Sequence, residues 1–120
     1  MNGMQIILLG ERPPSWNDSY AGQHWTKRQT VIERLRMAVR AAIDPDECQP
    51  FTEPVYITVT VFFASKPQDA DNIPAKLYID ALKGWVIADD DGRYVRSVTT
   101  VTEFDASLPR VVIDVRPVSE

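Results

Sequence analysis

Apolar and polar positions follow two different periods along this chain, and the switches between them mark out six elements. Residues 4–9, MQIILL, form a short apolar run stopped by Gly10, the pattern of a buried strand. From Thr26 to Ile43 the period is helical. Val31, Leu35, Ala38 and Ala42 recur on one face with Ile32, Val39 and Ile43 beside them, and Thr26 is the candidate N-cap. Asp44-Pro45 ends this helix, because the residue before a proline is steered out of the α region. Val55 to Ala64 switches to a period of two: Val55, Ile57, Val59 and Val61 point one way, Tyr56, Thr58, Thr60 and Phe62 the other. Both sets are apolar or β-branched, which predicts a central strand.

A second helix is predicted from about residue 72 to Lys83, with Ile73, Leu77, Tyr78, Ala81, Leu82 and Trp85 as its buried stripe. Asp71 or Asn72 can cap it, Pro74 is tolerable in a first turn whose N–H groups lack partners anyway, and Gly84 stops it. Residues 94–102 and 109–117 read as two more strands, joined through the loop EFDASL as a hairpin. The order β-α-β-α-β-β describes a single small α/β (α+β) domain over residues 1–120, with a mixed four-stranded sheet and two helices.

The connections differ in character. ERPPSWNDSYAGQHW, residues 11–25, is rich in chain breakers and also holds Trp16, Asn17, Tyr20, His24 and Trp25. Ordered loops of this length are often functional, although tryptophans in a loop also serve as anchors to a core. Residues 44–54 form a polar linker punctuated by proline.

The 44% hydrophobic and 25% charged fractions are those of an ordinary globular domain. No apolar run approaches the roughly 18 residues of a membrane span, and the first residues lack the basic start and long apolar core of a signal peptide. Cys48 is the single cysteine, so neither an internal disulfide nor a cysteine zinc site is expected, and a reducing cytoplasm is the expected setting.

Charge changes the picture at one place. Residues 66–91 read KPQDADNIPAKLYIDALKGWVIADDD and hold six carboxylates: Asp69, Asp71, Asp80, Asp89, Asp90 and Asp91. The formal charge of −4 argues against a nucleic-acid partner, since phosphate binding needs a basic face. Setting those six aside leaves 11 of the 17 acidic residues against 13 basic ones, a balance of +2. The first helix carries Lys27, Arg28, Arg34, Arg36 and Arg40 against Glu33 on its polar side. That side is either a solvated helix face or one that tracks a phosphate backbone.

Asp69 and Asp71 in an extended D-x-D direct both carboxylates to one side and could share a hard divalent cation, which takes oxygen ligands. The acidic turn after the helix could add a third ligand, and Lys76, one turn into the helix, could contact a phosphate oxygen. Carboxylates, a metal and a lysine are the parts of metal-assisted phosphodiester hydrolysis. Each part also has a plain reading: D-x-D is common, a triple-Asp turn is often a solvated loop, and Lys76–Asp80 is an ordinary i, i+4 pair. No Ser, Cys or His arrangement suggests a covalent nucleophile, and His24 stands alone in a polar loop.

The run D-A-D-N-I at 69–73, then K-L-Y-I-D-A-L-K-G-W at 76–85, then D-D-x-x-Y-V at 90–95, resembles the RusA family of Holliday junction resolvases, endodeoxyribonucleases common in phages and prophages. PPSWN at 13–17 resembles the family's N-terminal motif, so the likeness extends over most of the chain. The resemblance implies a homodimer that binds four-way DNA junctions and cuts two opposing strands symmetrically with Mg²⁺ or Mn²⁺, in the cytoplasm of a bacterial or phage-infected cell. It implies Asp69, Asp71 and Asp91 as catalytic metal ligands and Lys76 as the catalytic lysine. Asp91 is the match if Tyr94-Val95 sets the register, Asp90 if the turn is shifted by one. Asp80 and Asn72 are then supporting residues, and Lys66, Lys27, Arg28 and Asn17 join Lys76 as DNA contacts. One departure stands out: the step from Asp71 to Lys76 is one residue longer than the family's spacing, with the extra residue near Pro74. A metal-dependent junction endonuclease is the leading expectation. The alternative is a non-catalytic module that binds nucleic acid or protein and carries a structural or vestigial metal site.

Overall fold

The computed structural model describes residues 3–9, 25–44, 46, 50–65, 69 and 73–119. Within them lie four strands, β1 (Met4–Leu9), β2 (Val55–Phe63), β3 (Val95–Phe104) and β4 (Arg110–Pro117), and two helices, α1 (Trp25–Ala42) and α2 (Ala75–Leu82). The element order is the expected β-α-β-α-β-β, and the sheet is mixed, with strand order β1-β4-β2-β3. β4 runs antiparallel to both β1 and β2, whereas β3 runs parallel to β2.

The core follows from register. Ile6 lies opposite Ile113, which lies opposite Val59; Leu8, Val111 and Val61 form the next such row. All six are buried, on the face where α1 contributes Val31, Ile32, Leu35 and Val39 and α2 contributes Leu77, Tyr78, Ala81 and Leu82. Side chains on one face of a sheet meet across strands in this way because the side-chain period is two. β2 is central, as its two apolar faces predict. Phe51, in the stretch read as a polar linker, is buried at 3% exposure and donates its N–H to the Val86 carbonyl at 2.8 Å.

Thr26, the expected N-cap of the first helix, lies inside α1, which begins at Trp25, and two further expectations fail. The last two strands are not a hairpin, because β2 lies between them. A strand-helix-strand crossover lays β3 parallel to β2 on one side, and β4 then takes the other side of β2, where Val111, Ile113 and Val115 can face the helices. The loop after β3 bridges the end of β2 and is tied there by the Asp105 N–H donating to the Phe63 carbonyl at 2.9 Å. Two strand spacings, about 10 Å, are within reach of such a loop.

The second correction concerns α2, which begins at Ala75 rather than near residue 72. Pro74 occupies the N-cap with φ −79° and ψ 76°, outside the helical region, and no side chain caps the helix there. The expected caps Asp71 and Asn72 lie outside the described residues. The helix ends as predicted: Gly84 has φ 76°, and its N–H donates to the Ile87 carbonyl at 2.7 Å.

Candidate active site

α2 is short, so positions three, four and seven apart share a face along its whole length. Lys76, Asp80 and Lys83 occupy one such face, opposite the stripe that buries Leu77, Tyr78 and Ala81. After Gly84 the chain turns back through Trp85–Ala88, and Asp89, Asp90 and Asp91 come to lie alongside that face. Asp90 is held between the two lysines: one carboxylate oxygen stands 4.0 Å from Lys76 Nζ and the other 3.6 Å from Lys83 Nζ. Lys76 Nζ also lies 3.5 Å from Asp80, and Lys83 Nζ 3.3 Å from Asp89.

Asp91 is used differently. Its carboxylate accepts two hydrogen bonds from the Arg93 guanidinium, at 3.1 and 2.8 Å, and one from the Arg93 N–H at 2.9 Å. Its carbonyl accepts the Tyr94 and Val95 N–H groups, both at 2.9 Å, which fixes the start of β3. The hydrogen bonds from Arg93 hold the Asp91 carboxyl below the usual carboxylate range. Asp89 is also lowered, first by the Asp90 N–H, which it accepts at 2.8 Å, and then by Lys83. Lys83 is raised in turn by its bond to Asp89. Of the two aspartates that the sequence leaves as alternatives, Asp90 is therefore the one beside Lys76, while Asp91 closes the turn.

Beside this cluster a shallow cleft of about 270 Å³ runs between α2 and β3, walled by Ile79, Val95 and Val98 with Lys76 and Asp90 at its rim. Asp69 is exposed. Asp71, Asn72, Lys66 and Asn17 lie outside the described residues, as do the side chains of Lys27 and Arg28. Among the described residues, no group of three or more His, Cys, Asp or Glu side chains could hold a metal ion. Asp90 and Asp69 each carry the hard carboxylate oxygens that Mg²⁺ or Mn²⁺ takes as ligands.

The basic side of α1 is partly spent inside the protein. Arg36 donates from Nη2 to the Asp80 carbonyl at 3.0 Å. That carbonyl belongs to the last turn of α2, where helix geometry leaves acceptors without intrahelical donors and where positive charge is favoured. The Arg40 guanidinium lies 4.7 Å from the centre of the Trp85 ring, a cation–π contact. These two arginines hold α1 and α2 together and are not available as a continuous phosphate-tracking stripe. The sequence carries little sign of this, because the reach of a long side chain depends on what packs across from it. Lys83 had a weak sign, its i+7 spacing from Lys76. Arg93 had another, its position two residues after an aspartate in a Gly-containing turn.

No protein-family model matches the chain, and no curated protein matches it in sequence.

Proposed function

We propose that this chain is a RusA-type, metal-dependent endonuclease that resolves four-way DNA junctions. The observation that carries the reading is the meeting of Lys76 with Asp90, two residues that only the return of the chain after α2 brings together. Asp69, Asp71 and Asp90 would hold Mg²⁺ or Mn²⁺, and the bound ion supplies an activated water and a Lewis acid for the scissile phosphate. Lys76 meets a non-bridging phosphate oxygen and offsets the charge that develops during in-line attack. Asp80, one turn further along α2, keeps the Lys76 ammonium on the side of the helix that faces the acidic turn. Asp91, with Arg93, holds the turn in shape and so sets where Asp90 stands. Two symmetrical cuts require two symmetrically placed sites, which is the reason to expect a homodimer.

A second reading has its own support. Asp90 already has two ammonium neighbours, an arrangement that needs no metal, and a non-catalytic module with a vestigial site would keep it.

Cleavage of a labelled four-way junction, with Mg²⁺ and without, separates the two. The nuclease reading expects metal-dependent paired nicks, lost by about 100-fold or more in Lys76→Ala, Asp71→Asn and Asp90→Asn. Wild-type protein that binds the junction but leaves it intact across a range of metal and salt would leave the binding module standing.

A further inference from the structure

β3 enters the sheet through a bulge. Val95 pairs with Val55 and Ser97 with Tyr56, so Arg96 is an extra residue that β2 does not match. Strict alternation would put Val95 and Val98, three apart, on opposite faces of the sheet. The bulge brings both to the helix side instead, in register with the buried Val55 and Ile57. With Ala75 and Ile79 of α2 they form the walls of the cleft of about 270 Å³ that has Lys76 and Asp90 at its rim. Ile79 is held in the core at 6% exposure, whereas Val98 is 43% exposed. A single exposed valine is ordinary. An apolar cleft with a few polar groups converging on it is the usual form of a ligand site. The Lys76 side chain at the rim is 46% exposed. Among the described residues, no aromatic side chain lines the cleft.

We propose that this cleft takes a nucleobase next to the scissile phosphate, unstacked from the branch point of the junction. The inference rests on the nuclease reading and names a subsite within it. A nucleotide joins an anion to a flat ring with apolar faces. The site offers the matching pair, an ammonium at the rim and aliphatic walls behind it. An apolar peptide side chain would fill the same walls but bring no anion to Lys76. The two charged side chains stand at the rim, so the ring is held by the shape of Ala75, Ile79, Val95 and Val98 and not by an ion pair inside the cleft. A base must leave its stack to enter, and unstacking costs least where pairing is already broken. That condition is met at a branch point and not along a duplex arm. The cleft therefore favours junctions over plain duplex without any added phosphate contact.

The test labels a four-way junction with 2-aminopurine at successive positions around the branch point, and the wild-type cleavage products locate the scissile phosphate. In Ca²⁺, binding should raise the fluorescence of the label next to that phosphate severalfold. A base drawn from its stack into a cleft without aromatic walls is no longer quenched. Val98→Trp, which fills the cleft from an exposed position, should abolish the rise with unchanged far-UV circular dichroism. Val98→Ala, which shortens the wall without filling the cleft, should reduce it. In Mg²⁺, an abasic residue at the same position should slow wild-type cleavage about tenfold and slow Val98→Trp no further. Phe104→Trp, at the far end of β3, should match wild type in both measurements. Wild-type protein that cuts the junction with no fluorescence rise beside the cut and no abasic penalty would overturn the proposal and leave the nuclease reading intact. So would a rise and a penalty that Val98→Trp keeps in full. A chain that leaves the junction uncut ends the nuclease reading, and this subsite with it.

Discussion

Asp90 and Asp91 are neighbours in sequence and differ in what surrounds their carboxylates. Arg93 approaches Asp91 as a fork and also donates its backbone N–H, so Asp91 is fixed by groups two residues away. Asp90 depends on Lys76 and Lys83, which belong to another element, and at 4.0 and 3.6 Å neither contact is a close hydrogen bond. A carboxylate loosely bracketed by ammonium groups can exchange one of them for a cation at little cost; one locked in a bidentate fork cannot. The Asp91 contact also has a sign in pH. Its folded-state value is lowered, so whatever stability the contact gives is present above the ordinary carboxylate range of about 4 and is lost as pH falls through the lowered value. Carboxyl-carbon NMR titration should therefore find the Asp91 midpoint below that of an unperturbed aspartate, and Arg93→Ala, which removes the guanidinium but keeps the backbone N–H, should move it back towards the ordinary value. An Asp91 midpoint that does not move on removing Arg93 would mean that the fork does not form in solution.

α2 shows how far local pattern carries and where it stops. Its buried stripe is legible because Leu77, Tyr78, Ala81 and Leu82 repeat at helical spacing, and its end is legible because Gly84 stands two residues after Leu82. Its start is not, because Pro74 fits both a first turn and the position before one, and the structure uses the second. Its attachment to α1 through Arg36 and Arg40 is not legible either. The same arginines on the same face would be read as solvated unless the Asp80 carbonyl and the Trp85 ring were known to lie across from them. At the C-terminal end, Gly84 has a positive φ and nothing within 4 Å of where a Cβ would stand, so a substitution there is strained by backbone conformation alone. Gly84→Ala should cost about 1 kcal/mol, lowering Tm by about 4 °C. Gly92 is equally open but has no positive φ. Gly92→Ala should accordingly leave Tm unchanged or raise it slightly, by restricting the unfolded chain. Equal losses from the two substitutions in thermal melts would show that the positive φ of Gly84 is not what sets its cost.

The assembled sheet adds what no single element reveals. The period of two along β2 predicts a central strand but not its neighbours, since Val111–Val115 would alternate identically beside β3 or beside β2. The crossover through α2 decides the matter by setting β3 parallel to β2, and this also lays the acidic turn beside Lys76. Electrostatics of the whole molecule follow from the same arrangement. The chain carries a formal charge of −4, and Arg36 and Arg40 are committed to packing α1 on α2. A phosphate backbone approaching the cleft between α2 and β3 would meet Asp89, Asp90 and Asp80 as well as Lys76 and Lys83, and without another cation the local balance is unfavourable. If the chain is the junction endonuclease proposed above, its binding of a four-way junction should therefore depend on a divalent ion even when no bond is cut. Ca²⁺, which supplies charge and oxygen coordination with little turnover in a site built for Mg²⁺, should strengthen junction binding on the order of tenfold over EDTA at fixed ionic strength. Asp90→Asn should narrow that difference from both sides, binding better than wild type in EDTA and gaining less from Ca²⁺. Fluorescence anisotropy with a labelled junction reads both quantities. Equal affinity in EDTA and Ca²⁺ would mean that the acidic turn does not face the DNA at all, and the catalytic assignment of Asp90 would fall with it.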